Sequence, residues 1–144
     1  MLDLLRQVCA EVGRLVGVEY ALFEGDPQFV TGIGLRFEAL AVAFRAVAED
    51  DTLAANIGSL QAEAGEVIVP ATTVSPWSCC LGYEICWGWQ LTNQQGYTDG
   101  VRLEFVEPGL VSRAIVELIV AASAIRLLVV VAPGEPPPSR RDAT

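Results

Sequence analysis

Five aromatic residues, Trp77, Tyr83, Trp87, Trp89 and Tyr97, crowd into one short stretch beside the side-chain amides of Gln90, Asn93, Gln94 and Gln95. Aromatic walls with a few amides are what a small-ligand pocket or a protein-binding hot spot uses. The plainer alternative is a core packed with large rings beside a polar turn. The number of amides keeps the binding reading in play, because a buried or interfacial amide needs a hydrogen-bonding partner. The candidate binding set is Trp87, Trp89, Gln90, Asn93, Gln94, Gln95, Tyr97 and Asp99.

Other chemistry is restricted by what the chain lacks. It has no His, and its nine cationic residues are all Arg. Imidazole bases, lysine Schiff bases and Ser-His or Cys-His nucleophiles therefore cannot be built. No catalytic residue, metal site or cofactor is assigned. A rival reading is a small-ligand or carboxylate-based catalytic pocket using Glu84, Asp99 or Glu104 with Tyr97. It requires a pocket that perturbs one of those carboxyls. Glu49-Asp50-Asp51 lacks the spaced acceptors of a calcium loop and reads as a solvated turn. Cys79 and Cys80 are adjacent and Cys86 follows six positions later, so zinc or CxxC redox spacing is absent. With Cys9 they read as buried apolar thiols.

The element that must position the aromatic group is a β-hairpin over residues 86–105. Trp87, Trp89 and Leu91 alternate with Gly88, Gln90 and Thr92. Asn93 to Gly100 is dense in turn formers, with Asp99 expected to close the turn through backbone amides. Val101, Leu103 and Phe105 alternate with Arg102 and Glu104, giving one apolar and one charged face. Gly100 is expected at the strand start or at a bulge, where it can take a positive φ.

Around that hairpin, residues 2–12 have helical spacing at Leu5, Val8, Cys9 and Val12, with Gly13 as a stop. Strands are expected over 15–24, 29–38, 40–47 and 52–57, with Arg45 exposed. Residues 58–65 read as loop or edge, and Val67 to Pro70 as a short edge strand. One helical turn is expected within 73–82, capped by Ser75 with Pro76 leading it. The turn at Glu107-Pro108-Gly109 leads to strands over 111–120 and 124–131. The fold class is thus mainly β, α+β at the margin, with about eight antiparallel strands in two meanders and one N-terminal helix. Residues 1–132 form a single globular domain, and the proline-rich 133–144 form a flexible tail. Shifting the sequence by 66 positions places Gly34-Leu35-Arg36-Phe37-Glu38 on Gly100-Val101-Arg102-Leu103-Glu104, so the halves could be two similar four-strand units.

Composition narrows the partners. The net charge of −9 argues against nucleic acid, whose phosphates need clustered cations. It permits a basic protein partner and also keeps an apolar chain in solution. Ala114 to Ala132 is nearly apolar, but a spanning helix would bury Arg126 at roughly 2.5–3.5 kcal/mol. Two strands turning at Ala121-Ala122-Ser123 fit better, so no membrane is expected. The N-terminus lacks a signal peptide's features, which points to the cytoplasm. A hydrophobic content of 52% favours a homodimer, and a purely structural homo-oligomer is a further alternative.

The run Trp87-x-Trp89-x-Leu91-x-Asn93-Gln94-Gln95-Gly96-Tyr97-x-Asp99-Gly100-x-x-Leu103-x-Phe105 resembles the hairpin signature of a bacterial family of small domains of unknown function. Thr31 to Phe37 and Asp50-Asp51-Thr52-Leu53 extend the resemblance. It implies no activity and no catalytic residue. Small acidic domains of this type are compared with immunity proteins of bacterial toxin systems. The resulting reading is a non-enzymatic binding or interaction protein, in one version immunity-like towards a basic toxin.

Overall fold

The structure is a computed structural model that describes residues 1–107 and 113–131. The chain opens with helix α1 (Leu2–Glu11), followed by β1 (Leu15–Phe23), β2 (Val30–Phe37), β3 (Ala41–Val47), β4 (Thr52–Ile57) and β5 (Glu66–Pro70). A short helix α2 (Trp77–Cys80) leads to β6 (Glu84–Thr92), β7 (Thr98–Val106), β8 (Arg113–Ala121) and β9 (Ala124–Val131). The first five strands form one antiparallel sheet in the order β4-β3-β2-β1-β5, and the last four form another in the order β6-β7-β8-β9. Each sheet contains a four-strand meander, and the first adds β5 at its edge. The mainly β expectation with an N-terminal helix is what the chain adopts. The expected tail, and residues 108–112 of the turn after β7, lie outside the described residues.

Alternation explains why the two sheets share one core. Val18, Ile33, Leu35, Val42 and Phe44 from the first sheet cluster with Val101, Leu103, Phe105, Val116 and Leu118 from the second. Leu5, Val8 and Val12 add one face of α1 to the same cluster, which is the stripe that its spacing predicts. Gly13, at φ +80°, ends that helix in the left-handed region. Among the described residues, no helix is long and apolar enough to cross a membrane. The nearly apolar segment after residue 114 is instead β8 and β9, joined through Ala122 and Ser123 at φ 52° and 65°. Both central residues at positive φ make this a tight hairpin turn whose twist suits its strands.

The outer face of the first sheet is covered by its own chain. Leu60, from the loop after β4, packs with Ala21 and Ala43, and its side chain lies over Gly32 and Gly34. A methyl at Gly34 would sit 2.9 Å from the Leu60 Cβ, so the glycine makes room for the loop. Arg45 is not the exposed residue expected. Its side chain is 16% exposed and pairs with Glu66 at 3.0 Å and Glu63 at 3.6 Å, while also donating to the Gln61 carbonyl. Thr31 donates to Glu66 at 2.5 Å, and the Glu63 amide donates to the same carboxylate at 2.8 Å. The loop and the start of β5 therefore bring two acids onto the sheet's cation.

Other local expectations change too. Ser75 makes no side-chain cap: the residue at the N-cap of α2 is Pro76. Of the four cysteines, Cys80 is buried, Cys9 half-buried, and Cys79 and Cys86 exposed. The strand pairing of β6 slips between Ile85 and Trp87, leaving Cys86 as a bulge. A bulge inserts one unpaired residue and reverses the alternation beyond it.

Candidate functional site

That bulge decides where the tryptophans go. Ile85 stands opposite Phe105 and is buried, on the core side. Trp87 stands opposite Glu104 and Trp89 opposite Arg102, on the side facing away from the core. The large rings of β6 thus share the charged face of β7. The smaller Gly88 and Gln90 oppose the fully buried Leu103 and Val101. Gly88 faces α1, where an added methyl would meet Leu5 at 3.2 Å.

The outer face reads as rows across the sheet. Trp89, Arg102, Glu117 and Leu128 form one row, and Leu91, Gly100, Ile119 and Arg126 the next. Trp87, Glu104 and Ile115 lie in a third. The two indoles are tilted by 59° with centroids 6.4 Å apart. Arg102 places its guanidinium carbon 5.8 Å from the Trp89 ring centroid and donates through Nε to Glu117 at 2.7 Å. Glu104 pairs with Arg113 at 3.7 Å. Trp87 is 59% exposed and Leu128 49%.

The aromatic group singled out in the sequence therefore divides. Trp77 is fully buried, donates its indole N–H to the Tyr20 hydroxyl at 2.6 Å and meets Phe105 edge-on. Tyr83 is half-buried, away from the exposed rows. The amides divide as well. Asn93, not Asp99, closes the hairpin: its side-chain carbonyl accepts from the Gln95 amide at 2.9 Å and the Tyr97 amide at 3.2 Å. Asp99 instead accepts from the Asn93 side-chain amide at 3.5 Å. Gln90 donates to Thr98 at 2.8 Å, so its amide is occupied within the hairpin. Gln94, Gln95 and Tyr97 stand exposed at the tip.

Gly100 lies inside β7 rather than at its start, and it is not among the residues at positive φ. Its reason is proximity: a methyl there would stand 2.6 Å from the Leu118 carbonyl oxygen. The expected bulge falls beside it, because Leu91 pairs with Gly100 and Thr92 with Thr98, skipping Asp99.

Chemically, the face offers indole surface, aliphatic side chains and one stacked, ion-paired arginine. Trp87 also lines a groove of about 460 Å³ beside α1, which Glu84, Asp99, Glu104 and Tyr97 do not line. Among the described residues, no group of three or more Cys, Asp and Glu is placed to hold a metal ion. A cleft of about 640 Å³ lies elsewhere, lined by Phe23, Phe29, Thr31, Arg45 and Glu66 among others. Its arginine is already paired with Glu63 of the loop before β5 and with Glu66 of β5.

Arg102, Glu117, Ile115, Ile119 and Leu128 belong to this face, yet the sequence did not single them out as its members. Their alternation was legible; what the bulge at Cys86 decides is that the tryptophans join them on that side. Glu117 carried a signal of its own as the one acid inside an apolar strand.

A family described only as one of unknown function, DUF6334, matches residues 2–133. The chain belongs to that family. The DUF6334 match takes in α1, both sheets and the exposed indole face. No curated protein and no solved structure matches this chain.

Proposed function

We propose that this DUF6334 chain is a non-enzymatic binding protein whose working surface is the outer face of the second sheet. The observation that carries the reading is the pair of indoles turned away from the core, with Trp87 59% exposed. Tryptophan anchors are enriched among residues that dominate binding energy. The exposed Leu128 closes the same row beyond the Arg102–Glu117 pair, and Gln94, Gln95, Tyr97 and Asp99 lie at the hairpin tip. A net charge of −9 would speed encounter with a basic protein, which fits an immunity-like role against a basic toxin. On this reading the protein is cytoplasmic, residues 1–132 fold as one domain, and homodimers form.

The test is native mass spectrometry on protein purified gently from its own host, with Trp87→Ala and Trp89→Ala variants in parallel. Folding of each variant is checked by circular dichroism. The reading expects a bound protein that dissociates at high salt and is lost from the folded variants. Retention of every partner by the folded double variant would overturn it. Light scattering reads the homodimer separately.

A further inference from the structure

Cys9 and Cys86 both line one surface groove. Cys9 comes from α1 and Cys86 from the bulge of β6, and Leu2, Leu5, Arg6 and Trp87 line the same groove. The groove measures about 460 Å³. The bulge explains why Cys86 is available. It has no cross-strand partner in β7, and bulges redirect side chains out of the regular pleat. Cys86 is exposed, whereas Cys9 is half-buried. Burial pushes the Cys9 thiol up, and negative charge on Cys86 adds to that, so each sulfur lies within the other's electrostatic reach. The residues lie 77 positions apart and reach one groove because α1 packs along β6.

We propose that Cys86 and Cys9 form a dithiol site for small disulfides of the glutathione class, in which Cys86 attacks and Cys9 resolves. The Cys86 thiol loses its proton to water, and its thiolate attacks one sulfur of the small disulfide. The S–S bond of that disulfide breaks, a mixed disulfide forms on Cys86, and one small thiol leaves. Cys9, deprotonated in turn, attacks the Cys86 sulfur and releases the second small thiol. The balance is two protein thiols oxidised to one disulfide and one small disulfide reduced to two thiols. Roles follow from access, since exchange begins at the thiolate an outside disulfide can reach. The product ties α1 to the β6 edge beside Trp87. An adduct on the exposed Cys79 would have no ready resolving partner beside it, because Cys80 is fully buried and its thiol is pushed up to about 12 by burial and by its neighbour.

The experiment uses the full-length reduced chain with oxidised glutathione, followed by alkylation, intact mass and peptide mapping. The wild type is expected to lose two hydrogens and yield a peptide pair joining Cys9 to Cys86. Cys9→Ser is expected to stop at a glutathione adduct on Cys86, and Cys86→Ser to give neither product. The oxidised wild type should melt roughly 5–15 °C above the reduced form, because the bond constrains a long loop in the unfolded chain. Wild-type protein that remains fully reduced, or that cross-links through Cys79 or Cys80, would overturn the proposal. So would a glutathione adduct on the wild type that Cys9 never resolves. The wild-type measurement decides the matter without either variant.

Discussion

Arg102 lies over the Trp89 ring, its guanidinium carbon 5.8 Å from the ring centroid, and the same guanidinium pairs with Glu117. The stack and the ion pair hold one another in place on the exposed face of the second sheet. Glu117 is only 9% exposed, and removing its cation leaves a carboxylate largely desolvated. Arg102→Ala is expected to cost about 2–3 kcal/mol, below the full penalty of a deeply buried pair because Arg102 itself is 38% exposed. Arg102→Lys should cost less while losing the planar stack. Urea unfolding measures both, and an alanine variant within about 0.5 kcal/mol of wild type would mark the pair as an ordinary surface contact.

Two glycines of the same hairpin should respond differently to alanine. At Gly100 the added methyl meets a backbone oxygen at 2.6 Å, which no side-chain rotation can relieve. Gly100→Ala is expected to cost at least about 2 kcal/mol. Gly96, in open space at φ +85°, should cost only about 1 kcal/mol from the left-handed conformation. Thermal melts of the two variants, run side by side, give the ranking directly.

The Arg45 network predicts an acid-sensitive component of stability. Burial alone would raise the Glu66 carboxyl, but hydrogen bonds from Arg45, Thr31 and the Glu63 amide outweigh it and hold the group below the usual glutamate range. A carboxyl depressed in the folded state contributes stability fully above its unfolded value. That contribution disappears as pH falls through the lower folded value. Glu66→Gln should therefore lower stability near neutral pH and flatten the acid side of the profile. Urea midpoints collected from pH 7 downwards should converge for the two proteins at the acid end. Parallel profiles would show that Glu66 contributes nothing through its charge.

Native alkylation should sort the cysteines by depth. Iodoacetamide is expected to label Cys79 and Cys86 and to spare Cys80, whose buried thiol is pushed up to about 12. Labelling of Cys80 should appear only in urea. Peptide mapping before and after denaturation checks this, and rapid native labelling of Cys80 would contradict its burial.

The core hydrogen bond between Trp77 and Tyr20 gives a further test. Tyr20→Phe removes the acceptor of a fully buried indole N–H, with an expected loss of about 1–3 kcal/mol. A neutral result would mean the indole finds another acceptor.

Much of this architecture was readable from alternation and turn chemistry. Gly13 marked the end of α1, Ala122-Ser123 the last hairpin, and Pro70 the end of the β5 edge strand, because each reflects a local backbone requirement. The site was less legible, since it depends on which face a residue takes. Trp77 and Trp87 are ten positions apart, yet one is fully buried and the other exposed. Nothing in Ile85-Cys86-Trp87 announces an unpaired residue. Arg45 read as exposed because its partner, Glu66, arrives from β5 across a loop that looked featureless. Asn93 and Asp99 are both competent turn closers, and only geometry chooses between them.

The unpaired residue at Cys86 also constrains how such a surface could arise or vanish. In a regular strand Ile85, Trp87 and Trp89 would all point the same way, and both indoles would press into the interior. Losing Cys86 itself would leave Ile85 opposite Phe105 and Trp87 opposite Glu104 in unbroken pairing with the rings still outside, whereas drawing Cys86 into the ladder of an unchanged sequence would turn both rings inward. The exposed rings therefore depend on one residue being held out of the ladder, and not on how many tryptophans the strand carries.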